Sequence, residues 1–113
     1  MNSPDLSLHP GETVIESWRA NRSQGQRAVG GRLHLTTQRL LFVPHVVDSV
    51  TGGHRWEVLL SGVSAVDVAP RGWHPFDGSL RRRLRISAEP VVEHFVVPKV
   101  DEVAQHIETA RHS

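Results

Sequence analysis

GRLHLTTQRLLFVP, residues Gly31 to Pro44, reads as two strands and the turn that joins them. Gly31, Leu33 and Leu35 share one phase of a period-two pattern, while Arg32, His34 and Thr36 share the other. The first half is therefore a half-buried strand. Its glycine falls where a curved sheet can bend sharply or admit another backbone. Thr37 and Gln38 form a tight turn, and the hydroxyls of Thr36 and Thr37 can hydrogen-bond the turn backbone. Arg39 to Pro44 returns as a short apolar strand. Leu33, Leu35, Leu40 and Phe42 are the core candidates.

Upstream, Thr13 to Ala20 alternates with Val14 and Trp18 in phase and reads as a strand. Residues 1–10 read as a lead-in, and Asn21 to Gln26 (NRSQGQ) as a polar loop. Downstream, Asp48 to Gly53 is a second turn and His54 to Leu60 a strand with Trp56 and Val58 in phase. Ser61 to Ala69 begins as a turn and ends as a strand through Val66 and Val68. Leu80 to Ser87 puts Leu80, Leu84 and Ile86 on one face and Arg81, Arg83 and Arg85 on the other. Arg82 is the single residue out of phase. Glu89 and Pro90 turn the chain into Val91 to Val97. After Pro98 the period changes: Val100, Val103, Ala104, Ile107 and Ala110 follow helical spacing, with Asp101 and Glu102 in the first turn. Strands grouped ahead of one helix predict an antiparallel, mostly β, α+β fold and exclude βαβ units.

At 113 residues, 38% hydrophobic and 22% charged, the chain is long enough for one domain with one core, over residues 11–112. No apolar run approaches the ~20 residues that span a bilayer, and MNSPDLSLHP lacks the succession of a secretory leader. The absence of cysteine removes disulfides and thiolate metal sites. A cytoplasmic protein, or one peripheral at the inner face of a membrane, is the expectation. The net charge is only +1, but Arg71 to Arg85 holds five arginines against Asp77, whereas Glu89 to Glu108 holds five acids against Lys99. The charge is polarised along the chain.

The Gly31–Pro44 stretch resembles the signature hairpin of the GRAM family of pleckstrin-homology-like domains: a glycine, an alternating strand ending in Leu-Thr, a two-residue turn, then Arg-Leu, an apolar residue and Phe. Other pieces follow in the family's order. Pro10-Gly11-Glu12 resembles its lead-in, Leu59 to Val68 its mid-chain strand and turn, and His94 to Val97 its penultimate strand before the helix. The resemblance covers about residues 8–111 and implies a small standalone member, of bacterial type. It also implies seven antiparallel strands in a bent sheet or partly open barrel, plugged by the C-terminal helix. Many members of the family associate with membranes or phosphoinositides.

No catalytic constellation is present in the sequence. The eight histidines include no H-E-x-x-H, and His34, His54, His74 and His94 are scattered over separate segments. Ser64 lacks the glycines of a nucleophile elbow. The glycines of GQRAVGG precede a strand, where a phosphate loop precedes a helix. Glu12, Glu16, Glu57 and Glu93 are dispersed. The expectation is a non-enzyme with no catalytic residue, no metal and no cofactor.

Chemistry of another kind gathers in Pro70–Ile86, PRGWHPFDGSLRRRLRI. Trp73 and Phe76 sit among turn formers, followed by the arginines. Read plainly, the loop tucks its aromatics inward and the arginines are a wet strand face. Read for function, Arg71, Arg81, Arg83 and Arg85 attract an anionic membrane lipid while Trp73 and Phe76 anchor at the interface. The alternative is a protein partner, or a second copy in a homo-oligomer, held on a sheet edge or in the groove beside the C-terminal helix. Nucleic acid is not expected, because the arginine face lacks interleaved aromatics for base stacking.

Overall fold

The computed structural model describes residues 6–24, 27–46, 52–71 and 81–113. The strands are β1 (Val14–Gln24), β2 (Arg27–Thr36), β3 (Arg39–Pro44), β4 (Trp56–Leu59), β5 (Ala65–Ala69), β6 (Arg83–Ala88) and β7 (Val91–Val96). A helix, α1 (Val100–Arg111), follows them. The strands form one seven-stranded antiparallel sheet in the order β4-β3-β2-β1-β7-β6-β5. This is the expected open sheet with a C-terminal helix.

The sheet folds over on itself. Phe95 of β7 meets Phe42 of β3 at 5.6 Å and Trp56 of β4 at 5.4 Å, ring centre to ring centre, so strands distant in the ladder share one core. Leu33, Leu35, Leu40, Phe42, Leu84 and Ile86 are completely buried in it, as their phases predict. Each contributes roughly 1.5–3 kcal/mol relative to exposure. Val103 and Ile107 of α1 complete the core at one end. The helix begins after Lys99, whose backbone is left-handed with φ 48° and which offers no side-chain cap. Asp101 and Glu102 instead place negative charge in the first turn.

Gly31 has a steric reason to be glycine. A Cβ there would lie 2.3 Å from the Val43 carbonyl oxygen and 2.7 Å from the Cα of Pro44. The β2–β3 hairpin closes this tightly because nothing projects between its strands.

The hairpin motif is also the fold's electrostatic anchor. Thr36 Oγ1 accepts the backbone N–H groups of Gln38 and Arg39 at 3.0 and 2.9 Å, and it donates to Glu12 Oε2 at 2.5 Å. Thr37 departs from expectation: its hydroxyl accepts the N–H of Thr13, not one in its own turn. The Glu12 carboxylate takes Arg39 Nε at 2.9 Å, and the same guanidinium reaches Glu57. The carbonyls of Leu6 and Ser7 accept from Arg39 Nη2 at 3.2 Å each, so the lead-in is fastened to the hairpin from Leu6 onward. The residues of the Pro-Gly-Glu and Leu-Thr-Thr-Gln-Arg pieces thus meet in one buried cluster. Burial alone raises the Glu12 pKa, but hydrogen bonds from Arg39, Thr36 and the His9 N–H outweigh it and hold the carboxyl at about 2.

Several boundaries differ from the sequence expectation. Asn21 to Gln24, read as loop, continue β1, because β2 pairs the strand out to Gln24↔Arg27 and β7 pairs it at Asn21 and Arg22. Only residues 25–26 separate the two strands, and they lie outside the described residues. The wet phase of β2 is buried at its end, with Thr36 fully covered and His34 nearly so. β6 begins at Arg83, so Arg81 and Arg82 precede it, and Leu80, the expected start of the strand, lies outside the described residues. Residues 47–51, which include most of the predicted second turn, are also outside the described residues.

Candidate functional site

The register of the β1–β2 hairpin fixes what its outer face carries. Trp18 and Ala20 point to the core opposite Leu33 and Gly31, so Ser17, Arg19 and Asn21 point outward opposite His34, Arg32 and Gly30. Arg19 and Arg32 are direct cross-strand partners. Like charges in that relation destabilise a sheet. Neither has an acidic partner among the described residues, although several arginines elsewhere do. Arg22 is held by Glu93 at 2.8 and 3.2 Å, Arg85 by Asp67 at 2.6 and 2.8 Å, and Arg82 by Asp101 at 2.8 and 3.1 Å.

A third guanidinium joins this pair. Arg81, which precedes β6, lines the same open groove of about 540 Å3 as Arg19 and Arg32, together with Asn21, Val96 and Pro98. Like the other two, Arg81 has no acidic partner among the described residues. The field is felt next door. His34, on the same face as Arg32, has its pKa lowered by burial, then by the charges of Arg32 and Arg55. Its Nδ1 is 2.7 Å from Ser17 Oγ, and its Nε2 is buried without a hydrogen-bond partner among the described residues. Three unbalanced cations around an open depression have one chemical use in common: they attract and orient an anion.

The arginines singled out in the sequence differ in what the structure pairs them with. Arg81 lies in the groove. Arg83 donates from Nη1 to Ser23 Oγ at 3.0 Å. Arg85 is neutralised by Asp67, whose carboxyl is held below its usual range by that contact. Arg83 and Arg85 do lower the pKa of His94 on β7, after burial. Arg71 is exposed just after β5, and Trp73 and Phe76 lie outside the described residues. Arg82, the phase violation, sits before β6 and bonds the helix, so it never enters the strand pattern. Arg19 and Arg32 were not singled out in the sequence. The signal was the outward phase of both strands, readable only once the hairpin register is known. Among the described residues no group of three metal-ligating side chains comes together.

Comparison with known proteins places the fold. No family model matches the chain, and no curated protein matches it. Solved structures do. The Vps36 N-terminal PH domain aligns at TM-score 0.66 and 18% identity, over 93% of this chain and 83% of that one. The hSac2 domain of the human phosphoinositide phosphatase Sac2 aligns at TM-score 0.70 and 14% identity, over 96% and 75%. A C-terminal domain of an unknown protein from Leishmania infantum gives TM-score 0.71 and 13% identity, over 97% and 91%. At these identities the likeness is one of fold, and the fold is pleckstrin-homology-like.

Proposed function

We propose that this chain is a non-catalytic binding module whose Arg19–Arg32–Arg81 groove engages anionic lipid headgroups at a membrane surface. The observation that carries this reading is that these three arginines have no acidic partner among the described residues, in a sheet that pairs Arg22, Arg39 and Arg85 with carboxylates. Each arginine at an anionic surface contributes about 1 kcal/mol. Three give about 3 kcal/mol, which is weak without an apolar anchor. Trp73 and Phe76, in the stretch of sequence ahead of Arg81, are the proposed anchors. Support also comes from the company the fold keeps, since one structural neighbour belongs to a phosphoinositide phosphatase. Among the described residues no helix is long and apolar enough to cross a membrane, so the association proposed is peripheral.

Sedimentation with vesicles tests the reading. Binding to phosphatidylcholine vesicles should appear only when phosphatidylserine is included and should fall steeply as salt rises. Equal binding to neutral vesicles, or none to either, would remove the lipid reading.

A further inference from the structure

A second surface lies away from the arginine groove. β1 is paired with β2 along its length, but with β7 only at Asn21 and Arg22. From Ile15 to Ala20 its other edge has no strand beside it among the described residues. That edge is about 20 Å of backbone at ~3.4 Å per residue, and half of its N–H and C=O groups point away from β2. An edge of this length recruits another strand unless something blocks it.

Here the edge opens onto a groove of about 650 Å3, walled by α1 through Glu102, His106, Thr109 and Ala110 and by Ile15 on β1. Ile15 is the extra residue of a bulge between Val14 and Glu16, and it is 47% exposed. Trp18 stands beside the wall with its ring 6.1 Å from that of His106, and its indole N–H has no partner among the described residues. Ile15 is thus available beside an unpaired backbone, and Trp18, half-buried against the core, keeps an uncommitted donor.

The charge of the site selects the occupant. On α1, Asp101 is engaged by Arg82 and Glu108 by Arg111 and His112. Glu102, which lines the groove, and Glu16, next to Ile15 on the strand, have no cationic partner among the described residues. We propose that this groove takes an extended basic peptide segment, added as a further strand on the Ile15–Ala20 edge. Its lysine or arginine side chains meet Glu16 and Glu102, and its apolar side chains meet Ile15 and Trp18. Backbone pairing supplies affinity and the two carboxylates supply the sign preference.

The probe is a synthetic peptide of roughly ten residues, long enough to cover the edge, in which lysine and valine alternate. A glutamate–valine peptide and a lysine–valine peptide N-methylated at alternate backbone nitrogens are the controls. Binding is read by fluorescence anisotropy and by amide hydrogen exchange of the whole chain. Expected are saturable binding of the first peptide alone, with new amide protection at Ile15–Ala20. Weakening by about tenfold is expected in the E16Q/E102Q variant, two exposed charge pairs' worth. Both substitutions are at exposed positions, so unchanged melting of the variant confirms an intact fold. Comparable binding of the acidic or N-methylated peptide overturns the proposal, as does protection elsewhere. Protection that grows with protein concentration and no peptide also overturns it, by assigning the edge to a second copy. Since E16Q and E102Q leave the arginine groove untouched, vesicle binding reports separately on the lipid reading.

Discussion

Arg19 and Arg32 stand directly opposite each other across the β1–β2 ladder, with no carboxylate among the described residues beside either. Pairing rules would place an acid at one of these positions, as Asp67 faces Arg85 between β5 and β6. The molecule thus contains both arrangements, a neutralised cross-strand pair and an unneutralised one. The second is unfavourable for folding, which is why the proposed anion site is placed there.

Replacing one member of that pair should therefore stabilise the protein. Arg32→Thr removes a like-charge contact and adds a good strand former, for a gain of about 0.5 kcal/mol, while weakening attraction to anionic vesicles. Thermal melting and sedimentation of the same variant check both halves. A lower melting temperature would mean that Arg32 is structural.

Arg39 should behave in the opposite way. Arg39→Met strips the cation from the fully buried Glu12 carboxylate and from the Leu6 and Ser7 carbonyls, at a cost of about 3–5 kcal/mol. Urea unfolding measures this. A loss no larger than the ~0.5 kcal/mol of an ordinary surface substitution would show that the cluster is incidental to the fold.

Stability should fall on acidification in two windows. His34 and His94 are both held below the ordinary histidine value of 6.5. The unfolded chain therefore takes up those protons first, and their contribution, present above 6.5, declines as the pH drops beneath it. Glu12, depressed from 4.5 to about 2, contributes fully above 4.5 and loses its share as the pH falls from there towards 2. That share is on the order of 3 kcal/mol. Urea midpoints measured from neutral pH downward should show both declines. A profile flat from pH 4.5 down to about 2 would contradict the assignment of Glu12.

Gly31→Ala should be among the most damaging small substitutions. The new methyl would meet a backbone oxygen at 2.3 Å, and neither strand of the hairpin can yield without breaking register. The cost expected is roughly 2–3 kcal/mol, seen as a lowered urea midpoint. Retained wild-type stability would show that the hairpin can open at no cost.

Much of the fold was readable in the sequence, because period-two alternation reports burial directly. Leu33, Leu35, Leu84 and Ile86 are all buried as their phase required, and the switch to helical spacing after Pro98 marks where α1 begins. The pairing of β1 past Ala20 was not readable. Asn21 to Gln24 are polar, and their strand geometry comes from β2 and β7, not from local preference. That one difference hid the register, fixed by the pairs out to Gln24↔Arg27, that sets Arg19 opposite Arg32. The run Arg81 to Arg85 was readable as charge but not as availability. Asp67 and Asp101 lie 18 and 19 residues from the arginines they neutralise. Linear charge counting does not see partners at that distance.

The most direct test sets two charge-matched double variants against each other on phosphatidylserine-containing vesicles. R19A/R32A and R82A/R85A each remove two positive charges, so whole-molecule charge is the same in both. If the groove is the anion site, R19A/R32A loses about 2 kcal/mol of vesicle affinity, roughly 30-fold, whereas R82A/R85A stays within a few-fold of the parent. Equal losses in the two variants, or a larger loss in R82A/R85A, would contradict the assignment of the groove.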